Sequence, residues 1–247
     1  MSDNGANDVL YIVMPAYNEE ENIRAVVEDW YTKLEGKNSL SRLVIADSGS
    51  TDNTHMILEE LKNDHQQLVI MSDTGKMHGP KLMALYSYAI NMGADYVFQT
   101  DSDGQTLSDE FDPFWDNRAQ YDALIGKRLK REDGFSRFVV EKVVCMLLRL
   151  FFGVRLEDAN APFRLMTVDS IKKYIDYMPA DYNLPNIMLS TYYSASNDKV
   201  RFDEIHFKKR QGGKNSINIR KIIVIGMHAL RDFYSFRSSV AYVRTYK

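Results

Sequence analysis

Apolar and polar positions alternate in a regular order along the first hundred residues. Four continuous apolar segments have the length of buried strands. They are residues 9–14, 43–46, 68–71 and 96–99. Between them, three stretches repeat apolar residues at helical spacing: residues 19–34, the residues after Asp52, and residues 80–92. Strands that alternate with helices are typical of an α/β fold, in which helices cover both faces of a mostly parallel central sheet.

The second half of the chain is less regular. Strand patterns occur at residues 123–126, 163–166 and 200–207, and helical patterns at residues 136–152, 170–177, 184–194 and 217–236. The last of these helices is expected to break or bend near Gly226. Because the sequence shows no internal repeat, we expect one domain over residues 1–216 and a helical C-terminal appendage over residues 217–247.

The predicted appendage carries a set of apolar residues with basic residues beside it. Ile219, Ile222, Leu230 and Phe233 recur at helical spacing, and Arg231 is one of the neighbouring cations. A basic amphipathic helix of this kind can lie in a membrane interface. It can equally pack against the core or against a second subunit, so that peripheral membrane contact and a homo-oligomer both stay open.

Composition narrows the class of protein. The chain has 247 residues, a formal net charge of −3 and one cysteine. A single cysteine excludes an internal disulfide framework and a cysteine-rich zinc site. No signal peptide or membrane-spanning run is apparent, so we expect a cytoplasmic protein, either soluble or peripheral on the inner face of the membrane, with no nucleic-acid partner.

Charge is divided unevenly along the chain. Residues 1–125 hold 8 Lys and Arg against 22 Asp and Glu, a net −14, and the remainder carries +11. This split predicts a cation site in the first half and an anionic partner for the second half. The alternative is that the two halves simply attract each other across the fold.

Two carboxylates close the fourth predicted strand. Asp101 and Asp103 bracket Ser102, and alternate residues of a strand share a face. A divalent cation would remove their repulsion, and oxygen ligands at this density suit Mg²⁺ or Mn²⁺ shared with substrate phosphates. The alternative is an ordinary exposed turn, because Asp-Ser-Asp-Gly is also good turn chemistry.

Polar residues also end the other parallel strands. Pro15-Ala16-Tyr17-Asn18-Glu19 ends the first strand and Asp47 ends the second. The carboxyl ends of parallel strands converge on one crevice, where a tyrosine and an asparagine beside carboxylates can hold a nucleobase and a ribose. The sequence has neither a Walker P-loop nor a Gly-x-Gly-x-x-Gly run after a strand, which disfavours nucleoside-triphosphate hydrolysis and dinucleotide binding.

These segments together resemble a known enzyme family. The stretches that carry the resemblance are residues 13–19, 47–52 and 101–105, followed by Gly126-Lys127-Arg128, residues 158–164 and residues 210–216. In this order they resemble the family-2 inverting glycosyltransferases of the GT-A fold. The later stretches are similar to the branch that contains dolichyl-phosphate mannose synthases and bacterial polyprenyl-phosphate sugar synthases.

The resemblance implies a role for each matching position. Asp47 would contact the base, Asp101 would lie near the ribose and diphosphate, and Asp103 would hold the metal, with Gln105 as a second ligand. Asp101 and Asp103, with Asp158, are the implied catalytic residues. The implied nucleotide-binding set is Pro15, Tyr17, Asn18, Glu19, Asp47, Asp101 and Ser102. Lys81 is added to it because a cation at a helix N-terminus suits a place where anions bind. His78 is interpreted as a surface-loop residue, with a diphosphate contact as the alternative.

The resemblance further implies a nucleoside-diphosphate sugar donor, UDP- or GDP-linked, and a polyprenyl phosphate acceptor. Arg128, Arg137 and Arg164 would bind the acceptor phosphate, unless they pair with the acidic half instead. Transfer to a sugar hydroxyl of a glycan is the alternative reaction, and a non-catalytic nucleotide-sugar-binding scaffold is the alternative class. A hydroxyl acceptor would need a general base. Asp158 is the first candidate, unless it only orients Arg128 or Arg164, and Asp181 is the second.

Overall fold

The computed structural model describes residues 7–128, 135–156, 158–208 and 219–245, with side chains throughout except in 135–140 and 219–229. The strands are β1 (Leu10–Ala16), β2 (Arg42–Asp47), β3 (Leu68–Met71), β4 (Tyr96–Gln99), β5 (Ala123–Arg128), β6 (Arg164–Thr167) and β7 (Val200–Ile205). The helices are α1 (Ile23–Tyr31), α2 (Thr54–Asp64), α3 (His78–Asn91), α4 (Phe111–Asn117), α5 (Phe135–Phe152), α6 (Val168–Ile175), α7 (Pro185–Ala195) and α8 (Ile219–Thr245). Short 3₁₀ turns cover Thr32–Leu34, Ser108–Glu110 and Arg118–Gln120.

The seven described strands form one sheet in the order β3-β2-β1-β4-β6-β5-β7. All neighbouring pairs are parallel except those made by β6, which runs antiparallel to both β4 and β5. The predicted mostly parallel sheet is therefore confirmed, with one reversed strand in its middle. That reversal brings the start of β6 to the same edge as the carboxyl ends of the other six strands.

The two faces of the sheet are covered by different helices, as the alternation in β1 illustrates. Leu10 and Ile12 point into a core with buried residues of α1, α2 and α4. Tyr11 and Val13 point to the other face, where the core includes residues of α3, α5, α6, α7 and α8. β1 is buried along its whole length between these two cores, which explains the unbroken apolar run in its sequence.

Two helices differ from the sequence-based expectation. The pattern did not predict α4, which has seven residues and carries Pro113 in its first turn, where the missing backbone N–H costs little. Residues 219–245 form one helix, so a break near Gly226 is excluded, and the bend given as the other expectation there stays a prediction. Phe233, Phe236 and Val240 of α8 are buried in the shared core. The predicted domain boundary at residue 216 lies outside the described residues and stays a prediction. None of the described helices is long and apolar enough to cross a membrane.

Asp47, Asp101, Asp103 and Arg128, four of the residues singled out from the sequence, lie along one edge of this sheet. We call it the carboxyl edge: the last residues of β1, β2, β4, β5 and β7, the first residue of β6, and the loops that adjoin them. The loops there are tied to one another. Ser102 Oγ donates to the Pro15 carbonyl at 2.9 Å, and Gly126 N donates to the Phe163 carbonyl at 2.7 Å.

Candidate active site

The turn after β1 is locked to the loop after β2. Asn18 adopts a positive φ of 54°, and its Oδ1 accepts the backbone N–H of Thr51 at 2.8 Å. The backbone N–H of Asn18 in turn donates to Ser50 Oγ at 3.0 Å. Glu19 is buried, and its backbone N–H donates to Thr54 Oγ1 at 2.8 Å. The ring of Tyr17 remains half exposed beside this pair of loops, in a place where a planar ligand could reach it.

Asp47 lies buried at the end of β2 with both carboxylate oxygens engaged. Ser50 Oγ donates to its Oδ1 at 2.5 Å, and His55 Nδ1 lies 3.3 Å from its Oδ2. His55, the second residue of α2, was missed by the sequence reasoning. Its only sequence signal is its place in the first turn of the helix that follows this loop. The two contacts fix the orientation of the carboxylate at the carboxyl edge.

Lys81 is buried behind the turn that follows β1 and does not face the solvent. The side chain is fully buried, its ammonium donates to the Ala16 carbonyl, and the Nζ is 5.3 Å from the centre of the Tyr17 ring. Burial lowers the pKa of Lys81, while the negative charge of Asp47 opposes that shift. The structure therefore places Lys81 next to the predicted nucleotide pocket as a support for the turn.

Asp101 and Asp103 follow β4 at the middle of the carboxyl edge. The Asp101 side chain is 29% exposed, and His78 Nε2, from the start of α3, lies 3.3 Å from its Oδ1. Asp103 Oδ1 accepts the backbone N–H of Gln105 at 3.1 Å. The half-exposed His78 thus adjoins the predicted site, which the interpretation as a plain surface-loop residue did not anticipate.

The donor set at this position fits a divalent cation that is completed by phosphates. Two carboxylates one residue apart supply hard oxygen ligands, and Mg²⁺ is commonly held by one or two carboxylates together with substrate phosphates. Within the part of the chain that the structure describes, no three His, Cys, Asp or Glu side chains are grouped to hold a metal by themselves. Asp103 and Asp101 are the carboxylates that would hold the ion, and the implied second ligand Gln105 stays a prediction.

Gln105 ties two loops of the carboxyl edge together. Its side chain is buried, and Nε2 donates to the Lys208 carbonyl at 2.9 Å. The backbone N–H of Lys208 donates back to the Gln105 carbonyl at 2.8 Å. This link between the residues after β4 and those after β7 could not be read from local spacing. It fixes the backbone N–H that Gln105 gives to Asp103.

Arg128 and Asp158 form a bidentate ion pair at the far end of the carboxyl edge. Arg128 Nε donates to Asp158 Oδ2 at 2.8 Å, and Nη2 donates to Oδ1 at 3.0 Å. Their side chains are only 11% and 5% exposed, and the guanidinium lies 5.3 Å from the centre of the Phe207 ring. This pairing is the geometry expected if Asp158 orients Arg128, and the catalytic role implied for Asp158 stays a prediction.

Of the other two predicted acceptor arginines, Arg164 is not brought to the same surface as Arg128. Arg164 is fully buried, and its guanidinium donates to the carbonyls of Ala161, at 3.0 Å from Nε, and Asn186, at 3.3 Å. Burial lowers its pKa. Arg137 lies on α5, and its side chain is outside the described residues. The stretch 210–216 that contributed to the resemblance also lies outside them.

The chain is similar in sequence to curated sugar transferases. The chain is 26% identical over 189 residues to the UDP-N-acetylglucosamine–dolichyl-phosphate N-acetylglucosaminyltransferase of Methanococcus voltae, over 68% of this chain and 72% of that protein. It is 23% identical over 215 residues to the undecaprenyl-phosphate 4-deoxy-4-formamido-L-arabinose transferase of Pectobacterium carotovorum, over 86% of this chain. The chain spans 63% of that second relative's length.

Solved structures confirm the predicted fold. Glucosyl-3-phosphoglycerate synthase from Mycobacterium tuberculosis, in complex with Mg²⁺ and UDP, superposes with a TM-score of 0.67 at 16% identity, over 94% of this chain and 80% of that one. The same enzyme with Mn²⁺, UDP and phosphoglyceric acid gives a TM-score of 0.65, also at 16% identity, over 94% and 79%. Likeness at this identity establishes the GT-A-type architecture alone.

The sequence profile of glycosyl transferase family 2 matches residues 11–174. That span runs from β1 into α6 and includes Asp47, Asp101, Asp103, Arg128 and Asp158. The curated relatives named above are both polyprenyl-phosphate sugar transferases, in agreement with the branch that the motifs predicted. The chain belongs to glycosyl transferase family 2.

Proposed function

We propose that this chain is a metal-dependent inverting glycosyltransferase that moves a sugar from a nucleoside-diphosphate sugar to a polyprenyl phosphate. The observation that carries the proposal is the placement of Asp47, Asp101 and Asp103 along one edge of the sheet, with the Arg128–Asp158 pair further along it. The names of the curated relatives, which act on dolichyl and undecaprenyl phosphates, support the choice of acceptor.

The donor nucleotide would lie between the turn after β1 and the loop after β2. The exposed ring of Tyr17 offers a stacking surface, and the buried carboxylate of Asp47 shapes the adjoining loop through Ser50 and His55. UDP is the proposed nucleotide because the solved structures of this fold hold it, and GDP is the alternative. Asn18 and Glu19 set the shape of the turn through their bonds to Thr51 and Thr54.

Asp101 and Asp103 would hold Mg²⁺ or Mn²⁺ against the donor diphosphate. When bound, the cation supplies charge neutralisation to the diphosphate as the glycosidic bond breaks. The chain's own part is orientation. The Gln105 backbone N–H holds Asp103, and Ser102 fastens the strand end to Pro15. Asp101 is positioned beside His78 at the start of α3.

The acceptor end of the site favours a phosphate over a sugar hydroxyl. A phosphate is already anionic near neutral pH and needs no general base, whereas a hydroxyl requires a carboxylate within hydrogen-bond reach. Both oxygens of Asp158 accept bonds from Arg128, so the first candidate for a base is committed to holding a guanidinium. We propose that Arg128 and Arg137 contact the acceptor phosphate, and that buried Arg164 only shapes the loop from Asp158 to β6.

A lipid-linked acceptor would place the protein at a membrane surface, on the cytoplasmic face in this proposal. Among the described side chains, α5 exposes Met146 and Leu150, which are 61% and 76% exposed, and α8 exposes Tyr234, which is 72% exposed. Arg149 and Arg237 are exposed on the same two helices. Apolar and basic side chains together suit contact with the headgroup region of an anionic membrane.

A transfer assay tests this function. The protein is incubated with radiolabelled UDP-N-acetylglucosamine, UDP-glucose or GDP-mannose, with Mn²⁺ and either undecaprenyl phosphate or an oligosaccharide acceptor. The proposal expects label from one donor in the organic phase, and none when Mn²⁺ is replaced by EDTA. Label that appears only in the soluble oligosaccharide would establish the alternative reaction. Donor binding without turnover on any acceptor would support a non-catalytic scaffold.

A further inference from the structure

The start of α3 is in close contact with the loop at Tyr182 and Asn183, which has no role in the proposed chemistry. A Cβ built on Gly79 would lie 2.2 Å from the Tyr182 carbonyl oxygen and 2.4 Å from Asn183 Cα. Real Cβ atoms essentially never approach other atoms this closely, and both neighbours are backbone atoms that cannot swing away. Glycine is therefore required at this position for the two segments to touch.

The same loop is held from its other side by α8. The Tyr182 ring packs edge-to-face on Phe236, with the ring centres 5.0 Å apart. The backbone N–H of Tyr182 closes a turn onto the Pro179 carbonyl at 3.0 Å. Tyr182 is 6% exposed, and among the described residues its hydroxyl has no hydrogen-bond partner. Packing against α8, and not a side-chain hydrogen bond, is thus what holds the ring.

The residue before Gly79 reaches the predicted donor site. His78 begins α3, and its Nε2 lies 3.3 Å from Asp101 Oδ1. A continuous series of contacts therefore runs from Phe236 through Tyr182 to the first turn of α3, and from there to Asp101. Each contact in the series is direct, and every member except His78 and Asp101 is buried or lies in the backbone.

We propose that Tyr182 is a positioning residue for the donor site: clamped between α8 and Gly79, it sets the first turn of α3 and so the place of His78 beside Asp101. This inference depends on the proposed function in one respect: that Asp101 lies next to the bound donor. It makes α8 a support of the site through Phe236.

The helix offers its own matched control. Phe233 is also buried on α8, but its ring packs on Phe152 of α5, with the ring centres 5.5 Å apart. Phe233→Leu and Phe236→Leu each shorten a buried aromatic side chain on the same helix while keeping it apolar. Only the second loosens the packing on Tyr182. Leucine is chosen because truncation to alanine at either position could prevent folding.

The first measurement uses the ligand-free protein. Hydrogen exchange followed by mass spectrometry reports the opening of the first turn of α3, in peptides that cover residues 76–83. The proposal expects Phe236→Leu to raise exchange there by about tenfold, and Phe233→Leu to leave it unchanged. Equal exchange in the two variants would overturn the proposal, whatever the protein catalyses.

The second measurement is the affinity for UDP with Mn²⁺, by calorimetry. Phe236→Leu should weaken binding by about tenfold, a typical coupling between sites, while Phe233→Leu and the conservative Tyr182→Phe keep the wild-type Kd. Unchanged affinity in Phe236→Leu would refute the positioning role. If the wild-type protein bound no UDP, the UDP assignment would fail, and the exchange experiment would still decide the present inference.

Discussion

Gly79→Ala adds one methyl group at the point where α3 meets the Tyr182 loop. In an ordinary exposed first turn the change would stabilise the protein by about 0.5–1 kcal/mol, because alanine loses less conformational entropy than glycine in a helix. Here the new Cβ would lie 2.2 Å from a carbonyl oxygen, against 3.4–4 Å for ordinary contact. Relief requires the loop and the helix to separate by roughly 1 Å, and overpacking of this kind costs about 1–3 kcal/mol.

The net effect is therefore a loss of up to about 2.5 kcal/mol, centred near roughly 1 kcal/mol. For a chain of this length each kcal/mol lowers Tm by about 2–4 °C, so scanning calorimetry should record a fall of about 2–4 °C, and at most about 10 °C. Gly36→Ala is the control. A Cβ there meets nothing within 4 Å, but the positive φ of 69° imposes backbone strain away from the site. Gly79→Ala should weaken UDP binding with Mn²⁺ and Gly36→Ala should not. A higher Tm in Gly79→Ala would refute the reasoning.

Three further changes test other contacts. Tyr182→Phe removes a buried hydroxyl that has no partner among the described residues, and should raise Tm by about 2–4 °C in calorimetry, for about 1 kcal/mol. Asp103→Ala should abolish sugar transfer while the Tm stays close to wild type, whereas exposed Asp64→Ala keeps full activity in the same assay. Burial raises the pKa of Asp52, but hydrogen bonds from Thr54 outweigh it and hold that pKa below its usual value. Asp52→Asn should therefore destabilise the protein at pH 7 in urea titrations, and the difference from wild type should disappear as pH falls through the lowered pKa.

Local pattern predicted much of the sheet and the position of Asp101 and Asp103 at the end of β4. Strands β3 and β4 have the predicted boundaries, because buried parallel strands are short apolar runs bounded by polar turns. Asp101 and Asp103 were found because they follow such a run directly. Their place at the carboxyl edge follows from the parallel direction of the strands, because the carboxyl ends of parallel strands lie at one edge of the sheet.

Features set by distant parts of the chain were not predicted. Arg164 follows Phe163 in a strand pattern, and its burial depends on β6 entering the sheet in reverse between β4 and β5. The clamp on Tyr182 joins residues of α3, α8 and the intervening loop, so no single window of sequence contains it. His55 is close to Asp47 in sequence, but its contact depends on how the loop between β2 and α2 turns.

The central claim is that the carboxyl edge binds a nucleoside diphosphate together with a divalent cation. The most direct measurement is thermal unfolding with UDP, GDP, CDP and dTDP, each with and without Mn²⁺. A ligand at 100 times its Kd stabilises by about 2.7 kcal/mol, so one nucleotide should raise Tm by about 5–10 °C with Mn²⁺ present, and Asp103→Ala should remove the shift. No shift with any nucleotide, or a shift of the same size without Mn²⁺, would contradict the account.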